Sequence, residues 1–275
     1  MTERPFMTAI CPSYARPELL ANAIACFLRQ DYPADRRALV ILDDAHQYVE
    51  AANRGGECHW LMKGGLLKGE WCVISEPSRY PSLPAKYNSL VENATRLYPQ
   101  TDAFVVWEDD DIYFPWHIAS HARALRDALW SKPSRVLSTY PGYPDNEASA
   151  GRFMASIALC RELMENVEGW PLTRRADFDQ LFMAELKTAA DEPADTLRFS
   201  PHEIPGYCFR WSGSGSWHGQ EFMRSPDDET WWDRAAQHVG RGARVPMVDR
   251  LLPRMDADTL RVCGEICSSR ISEAK

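Results

Sequence analysis

The chain has 275 residues, of which 45% are hydrophobic and 25% are charged, and its formal net charge at pH 7 is −8. This composition is that of a folded globular protein and excludes extended disorder, while the negative charge argues mildly against a polyanion as an obligatory partner. No stretch approaches the ~20 apolar residues that a membrane-spanning helix needs, and the first residues lack the architecture of a signal peptide. The cysteines lie singly in apolar segments, which is typical of buried thiols in a reducing compartment, so we expect a cytoplasmic protein.

Strand-like and helix-like segments alternate through the first half of the chain. The strand-like segments are short apolar runs, and the helix-like segments place apolar side chains on one face. The predicted strands span residues 6–11, 38–42, 71–75 and 103–107, and the predicted helices span residues 18–30, 86–98 and 117–129. This alternation favours an open, mostly parallel sheet that is flanked by helices.

The second half of the chain is less regular. We expect strands at residues 136–140 and 155–160 and a helix at residues 177–190. Residues 45–70 are difficult to assign beyond a short insert near residues 59–62. No linker is long or polar enough to separate two domains, so we expect a single domain over residues 1–275.

Four consecutive acidic residues, Glu108 to Asp111, follow the apolar segment 103–107. Adjacent carboxylates repel one another unless a cation lies between them, and oxygen ligands suit a hard divalent metal such as Mg²⁺ or Mn²⁺. Taken alone, the run would be explained more simply as a solvated acidic turn or a helix N-terminus.

Polar residues also follow two other predicted strands. Pro12-Ser13-Tyr14 comes after the first strand, and Asp43-Asp44 comes after the second. Open sheets of this class bind ligands at the carboxyl ends of their strands. We therefore expect these segments and the acidic run to meet at one edge of the sheet, which favours a functional site over a solvated turn.

Four segments in order resemble the nucleotide-sugar glycosyltransferases of the GT-A fold, especially family two. They are residues 8–20, 39–45, 85–90 and 108–115, the last being similar to the DXD motif with its trailing Tyr-x-Pro. The resemblance covers about the first 120 residues. It implies a Rossmann-like, mostly parallel sheet flanked by helices, with a nucleotide-sugar-binding half at residues 1–120 and an acceptor-binding and C-terminal portion at residues 121–275.

The resemblance assigns a nucleotide-sugar-binding role to Pro12, Ser13, Tyr14, Arg16, Asp43, Asp44, Lys86, Asn88, Glu108 and Asp109. Asp44 would accept a hydrogen bond from the base, with Asp43 as the alternative. Lys86 stands where the family usually has arginine and would neutralise phosphate as a point charge. The metal ligands would be Asp110 and Glu108, the latter in place of the usual first aspartate; a shifted alignment pairs Asp109 with Asp111 instead.

The downstream half carries a second set of implied residues. Residues 175–181 resemble the family's Glu-Asp catalytic motif, with Ala176 in place of the glutamate. Asp177 would be the general base and Asp179 the alternative, while a plain helix N-cap is the structural explanation for Asp177. His218, in the Ser/Gly-rich segment 211–219, is the candidate for a further metal ligand.

Together these features predict a metal-dependent enzyme of the hexosyltransferase type, with Mn²⁺ or Mg²⁺ as cofactor. It would move a sugar from a nucleoside diphosphate, with uridine as the expected base, to an acceptor hydroxyl, with inversion if an aspartate is the base. A saccharide or small-molecule acceptor is favoured. A hydroxymethylated base in DNA is not favoured, although Arg241, Arg244, Arg250 and Arg254 could supply a basic face.

Two other functions remain open at this stage. A nucleotidyltransferase would normally have a Gly-rich phosphate loop after its first strand, where this chain has Pro12-Ser13-Tyr14. A non-catalytic nucleotide-sugar-binding module would have little use for four acidic residues at a strand end. The sequence does not decide the oligomeric state or the role of Cys263 and Cys267, which are four residues apart and would share one face of a helix, as a pair of zinc ligands would.

Overall fold

The structure is a computed structural model, and it describes residues 4–45, 60–64, 70–139, 145–149, 151–210, 227–234 and 253–273. Its strands are β1 (Met7–Ser13), β2 (Arg37–Asp43), β3 (Trp60–Gly64), β4 (Glu70–Ser75), β5 (Ala103–Val106), β6 (Ile112–Tyr113), β7 (Trp130–Lys132), β8 (Arg135–Ser138), β9 (Asp145–Ala148), β10 (Ala158–Cys160), β11 (Ala194–Asp195) and β12 (Tyr207–Phe209).

The α-helices are α1 (Pro17–Leu28), α2 (Leu83–Leu97), α3 (His117–Ala124), α4 (Arg161–Asn166), α5 (Phe178–Ala189) and α6 (Ala257–Glu273). Short 3₁₀ helices cover Ala34–Arg36, Met154–Ser156, Thr196–Phe199 and Pro201–Glu203. None of the helices in the described ranges combines the length and the apolar character that crossing a membrane requires.

The larger sheet has the strand order β11-β7-β10-β5-β1-β2-β4-β3. Its centre, β5-β1-β2-β4, is parallel, and Ile10 of β1 pairs with Val40 of β2 on one side and Val106 of β5 on the other. β10 and β3 run antiparallel to the strands beside them. Because the four central strands are parallel, their carboxyl ends lie at the same edge of the sheet.

Helices cover both faces of this sheet, which explains why β1 and β2 are buried along their whole length. On one face, Ile24 and Phe27 of α1 and Ile118 of α3 pack into a shared core. On the other face, the core includes Leu90 of α2 and Phe182 of α5. The predicted fold class, a mostly parallel sheet flanked by helices, is confirmed.

A second sheet has the strand order β6-β12-β8-β9 and lies next to the carboxyl end of β5. Its apolar side chains, including Ile112 of β6 and Cys208 of β12, pack with Val262 of α6. The strand expected over residues 136–140 is β8 of this sheet. The other three strands were not predicted, because strands of two to four residues are too short to show a reliable alternating pattern.

Three predicted elements differ from the structure. The helix expected over residues 117–129 ends at Ala124, because the residues after Leu129 form β7 and pair with β10. The strand expected over residues 155–160 is β10 alone, preceded by a 3₁₀ turn. The short insert expected near residues 59–62 is the edge strand β3.

Candidate functional site

The acidic cluster, Glu108 to Asp111, forms the turn between β5 and β6. Two aromatic side chains hold this turn, since the rings of Trp107 and Tyr113 stack with their centroids 3.7 Å apart. The backbone N–H of Glu108 donates a hydrogen bond to the Tyr113 hydroxyl at 2.7 Å. The turn therefore places four carboxylates at the edge formed by the carboxyl ends of the parallel strands, which is where open sheets of this class bind ligands.

Three of the four carboxylates face one another. Glu108, Asp110 and Asp111 each place a carboxylate oxygen within 4.8 Å of the other two. Asp110 and Asp111 are 1% and 0% exposed, whereas Glu108 is partly exposed. Oxygen atoms at this spacing can close around Mg²⁺ or Mn²⁺, so these three residues are the candidate metal ligands.

Asp109 contacts residues outside this group of three carboxylates. It accepts a hydrogen bond from Ser13 Oγ at 2.7 Å and forms an ion pair with Arg16 Nη2. Arg16 Nη1 also contacts the Asp110 carboxylate at 2.7 Å. The structure thus groups Asp111, rather than Asp109, with Glu108 and Asp110.

Burial and repulsion shift the pKa values within the cluster. Burial, reinforced by Asp110, raises the pKa of Asp111 to about 8. Burial raises the pKa of Asp109 to about 6, although Arg16 acts to lower it. Burial, Asp111 and Asp110 raise the pKa of Glu108 well above its ordinary value. A divalent cation fits this donor set, because an opposite charge would stabilise carboxylates that are otherwise costly to ionise together.

Asp111 is tied to the second sheet and to the last described helix. It accepts hydrogen bonds from the Tyr207 hydroxyl at 2.6 Å and from the backbone N–H of Arg210 at 2.9 Å. The Arg210 side chain is 4% exposed, pairs with Asp256 at 2.8 Å and donates to Thr259 Oγ1 at 2.8 Å. These contacts connect a candidate metal ligand to the first turn of α6.

Lys86 joins the carboxyl ends of β1 and β2. Its Nζ donates to the Ser13 carbonyl oxygen at 2.6 Å and forms an ion pair with Asp44, and both side chains are buried. Asp44 also accepts a hydrogen bond from the backbone N–H of Tyr80 at 2.9 Å. Together with the bond from Ser13 to Asp109, these contacts show that the polar ends of β1, β2 and β5 meet at one edge.

An aromatic surface lies beside this edge. The Arg79 guanidinium lies 5.0 Å from the centroid of the partly exposed Tyr14 ring and 3.8 Å from that of Trp232. Its Nη2 also donates to the Trp232 carbonyl oxygen at 2.8 Å. Flat aromatic faces and guanidinium groups are surfaces on which nucleotide bases stack.

Three other predicted binding residues are held within the fold. Pro12 is buried in β1, and Asp43 is 0% exposed and accepts a hydrogen bond from Ser75 Oγ at 3.3 Å. The Asn88 amide holds the Trp170 backbone, accepting from its N–H at 2.7 Å and donating to its C=O at 2.9 Å. Asn88 therefore fixes the position of the Trp170 backbone.

Asp177 precedes the first residue of α5. It occupies the N-cap position but makes no capping hydrogen bond with its side chain. Its carboxylate instead contacts Arg175 Nε and Nη2 at 2.8 and 2.6 Å. This hydrogen bonding lowers the pKa of Asp177, whereas burial raises the pKa of Asp179 to about 6.

Tyr87 connects the start of α5 to the acidic cluster through one ring contact and one hydrogen bond. The rings of Phe178 and Tyr87 are 6.4 Å apart, centroid to centroid. The Tyr87 hydroxyl donates to Glu108 Oε1 at 3.1 Å. Asp177, which precedes α5, and Asp179, in its first turn, therefore lie at a helix start that adjoins the site.

Some predicted residues cannot be placed. His218 and the whole segment 211–219 lie outside the described residues, as do Arg241, Arg244 and Arg250. Cys263 is a half-buried thiol, and the side chain of Cys267 also lies outside the described part of the chain.

Five residues that build the site were not predicted from the sequence: Arg79, Tyr87, Tyr207, Arg210 and Trp232. Tyr87 carries a usable signal, because it lies between Lys86 and Asn88 in a segment that resembles the family. Arg79 and Arg210 lie outside helices and strands, Tyr207 lies in the short strand β12, and Trp232 lies in a helical stretch at residues 231–234. All four reach the site only through tertiary packing.

No protein-family model matches this chain, and no curated protein matches it. Solved structures are similar in fold. The S. aureus TarS 1–349 structure in complex with UDP-GlcNAc is 13% identical, with a TM-score of 0.59, and the match covers 95% of this chain and 72% of that chain. The mannosyltransferase PcManGT from Pyrobaculum calidifontis, in complex with GDP-Man and Mn²⁺, is 18% identical, with a TM-score of 0.53, and the match covers 78% and 59%.

At these identities the similarity concerns the fold, and the fold is that of GT-A glycosyltransferases. The match to another TarS 1–349 structure covers 60% of that chain, and the match to PcManGT covers 59%, so this chain spans about three fifths of their length.

Proposed function

We propose that this chain is a metal-dependent glycosyltransferase that takes its sugar from a nucleoside diphosphate. The observation that carries the proposal is the convergence of Glu108, Asp110 and Asp111 at the carboxyl end of β5, beside the buried Lys86. The fold is shared with a structure that holds GDP-Man and Mn²⁺ and with one that holds UDP-GlcNAc. Residues 1–120 would bind the donor, and residues 121–275 would contribute the acceptor side of the same domain.

The site offers separate surfaces for the parts of such a donor. The partly exposed Tyr14 ring offers a flat face for the base beside the Arg79 guanidinium, with Asp44 and Asp43 at the neighbouring strand end. Lys86 supplies a buried positive charge near the ends of β1 and β2. A Mg²⁺ or Mn²⁺ ion held by the acidic cluster would supply a Lewis acid that neutralises the diphosphate as negative charge develops on it. His218 remains a proposed additional ligand.

We further propose that transfer inverts the anomeric centre. The acceptor oxygen forms a bond to the anomeric carbon while the bond from that carbon to the β-phosphate oxygen breaks. The leaving diphosphate keeps the electron pair, and an aspartate at the start of α5 accepts the hydroxyl proton. Asp177 holds the position that matches the family motif, and at neutral pH Arg175 favours its charged form.

Asp179 is a second candidate for the base, for a specific reason. A base works best when its pKa lies near the working pH, and burial raises the pKa of Asp179 to about 6. Asp177 must instead share its carboxylate with two nitrogen atoms of Arg175.

The donor is tested by product release. The purified chain is incubated with UDP-sugars and GDP-sugars, with Mn²⁺ or with a chelator, and the freed nucleoside diphosphate is measured with and without simple saccharide and small-molecule acceptors. Metal-dependent release from one nucleotide class supports the proposal and identifies the base. Tight nucleotide binding without any turnover, with or without metal, would instead favour a non-catalytic binding module.

A further inference from the structure

Arg16 lies inside the acidic cluster rather than beside it. Its guanidinium bridges two carboxylates, with Nη2 on Asp109 and Nη1 on Asp110 at 2.7 Å. The side chain is only 8% exposed. Burial alone would lower the pKa of Arg16, but Asp109 and Asp110 outweigh burial and raise it. The guanidinium is therefore a permanent positive charge inside the cluster.

The backbone before Arg16 directs it there. Ala15 has a φ of 57°, which is unfavourable for a residue with a Cβ, and Pro17 then begins α1. Arg16 occupies the N-cap position of α1 and makes no capping hydrogen bond. The turn thus aims a long cationic side chain back across the end of β1, at a cost in backbone strain.

Arg16 and a metal would share one ligand. Asp110 belongs to the group of three carboxylates that can hold a divalent cation, and it is also the residue that Arg16 Nη1 contacts. A guanidinium and a divalent cation on the same carboxylate repel each other across a buried, poorly screened space. Metal binding is consequently opposed for as long as Arg16 stays on Asp110.

A diphosphate offers Arg16 a better partner. A guanidinium binds phosphate through two parallel hydrogen bonds, and such charge-assisted pairs are stronger than ordinary hydrogen bonds. The phosphates of a bound nucleotide would therefore compete with Asp110 for the Arg16 guanidinium. Their negative charge would also attract a divalent cation to the carboxylates that Arg16 leaves.

We propose that Arg16 is an internal counter-cation that keeps the metal affinity low until a nucleoside diphosphate binds. The inference rests on the proposed function, because it takes the acidic cluster as the metal site. If a bound nucleotide breaks the contact between Arg16 and Asp110, the nucleotide raises the affinity for the metal. By thermodynamic linkage the metal then raises the affinity for the nucleotide by the same factor.

The test measures Mn²⁺ affinity directly from the electron paramagnetic resonance signal of free Mn²⁺, without any turnover. Wild type, Arg16→Met and Arg16→Lys are titrated with Mn²⁺ alone, with UDP and with GDP. In wild type we expect the effective nucleotide to tighten Mn²⁺ binding about 5–150-fold, the usual range for coupled sites. In Arg16→Met, Mn²⁺ alone should bind about tenfold more tightly than in wild type, and the effect of nucleotide should shrink by the same factor.

Arg16→Lys keeps the charge but loses the fork that bridges two carboxylates, so it should show a smaller change in the same direction. Arg161→Met is the matched control, because Arg161 is a surface residue on α4 at the opposite edge of the sheet, paired with Glu165. It should leave every Mn²⁺ affinity unchanged.

Two results would overturn the inference in distinguishable ways. Unchanged or weaker binding of Mn²⁺ alone in folded Arg16→Lys and Arg16→Met, with wild type still binding Mn²⁺, would refute the role of Arg16 and leave the metal site intact. Failure of wild type and all variants to bind Mn²⁺, with or without nucleotide, would refute both the metal site and the role of Arg16.

Discussion

At the scale of single residues, neighbours give four adjacent carboxylates different surroundings. Asp109 is held by Ser13 and Arg16, while Asp111 is held by Tyr207 and by the Arg210 backbone. Glu108 and Asp110 share the space between them with Asp111. The order of the four residues in the sequence therefore does not decide which of their carboxylate oxygens can bind the same metal ion.

Replacing Asp110 with asparagine should remove a metal ligand while keeping the size of the side chain. Since a metal contributes several kcal/mol to charge stabilisation, we expect turnover to fall by more than about 100-fold. Asp109→Asn is the matched control and should cost less, because Asp109 faces Ser13 and Arg16. Turnover and circular dichroism check the pair, and an equal or smaller loss in Asp110→Asn would contradict the ligand assignment.

The base is identified by comparing Asp177→Asn with Asp179→Asn. Loss of a general base typically costs about 10²–10⁴-fold in turnover, whereas nucleotide affinity should not change. If Asp179 is the base, activity in the wild type should be lost as the pH falls through about 6, because the base must be ionised. If Asp177 is the base, its lowered pKa places that loss at a more acidic pH. Undiminished turnover in both variants would exclude this helix start as the source of the base.

At the scale of elements, the predictable part of the fold is the central parallel sheet. β1, β2, β4 and β5 are continuous apolar runs that end at polar residues, and their predicted convergence is confirmed by the contacts of Lys86 and Ser13. The pairing of the second sheet and the contacts of Arg16 with the acidic cluster could not be predicted. Two- to four-residue strands carry no usable period, and a pair such as Arg16 with Asp109 depends on how a strained turn aims one side chain.

Arg210 is the element-scale link between β12 and α6. It is 4% exposed and pairs with Asp256, so Arg210→Met leaves a partly buried carboxylate without its partner. Removing one partner of a buried ion pair typically costs about 3–5 kcal/mol, and we expect a loss near the lower end in urea unfolding because Asp256 is 31% exposed.

Arg261 provides the control for that experiment. It lies on α6 as well, but it is exposed and pairs with Asp258 and Glu265 on the helix surface. Arg261→Met should change the unfolding free energy only slightly, since exposed pairs contribute little. Equal losses for the two variants would mean that Arg210 does not anchor the helix.

At the scale of the whole molecule, the pH dependence of stability has two opposing sources: the buried histidines of α3 and the buried carboxylates of the acidic cluster. His117 and His121 of α3 are 2% and 1% exposed, with ring centroids 4.6 Å apart. His117 also packs against Tyr113 and Trp107, and His121 Nδ1 lies 2.8 Å from Ser131 Oγ. Burial lowers the pKa of His117 well below its ordinary value and that of His121 to about 3.

The difference in proton uptake between the folded and the unfolded chain decides how stability changes with pH. Below pH ~6.5 the unfolded chain protonates both histidines while the folded chain keeps them neutral, so their contribution to stability is lost as the pH falls, by at most about 2.7 kcal/mol per pH unit. The raised pKa values of the acidic cluster act in the opposite direction, so the test compares wild type with a double variant, His117→Gln and His121→Gln. Unfolding free energies from pH 7 to pH 5 should fall less steeply in the double variant, and parallel curves would contradict the prediction.

The central claim, a shared site for metal and nucleotide at the ends of β1, β2 and β5, is tested most directly by thermal unfolding with UDP, GDP and other nucleoside diphosphates, each with and without Mn²⁺. A ligand present at about 100 times its Kd adds about 2.7 kcal/mol of apparent stability. We predict such a rise for one nucleotide only when Mn²⁺ is present, and its loss in Asp110→Asn. The claim would be contradicted if no nucleotide raised the apparent stability at concentrations well above millimolar. It would also be contradicted if the rise were the same with and without Mn²⁺.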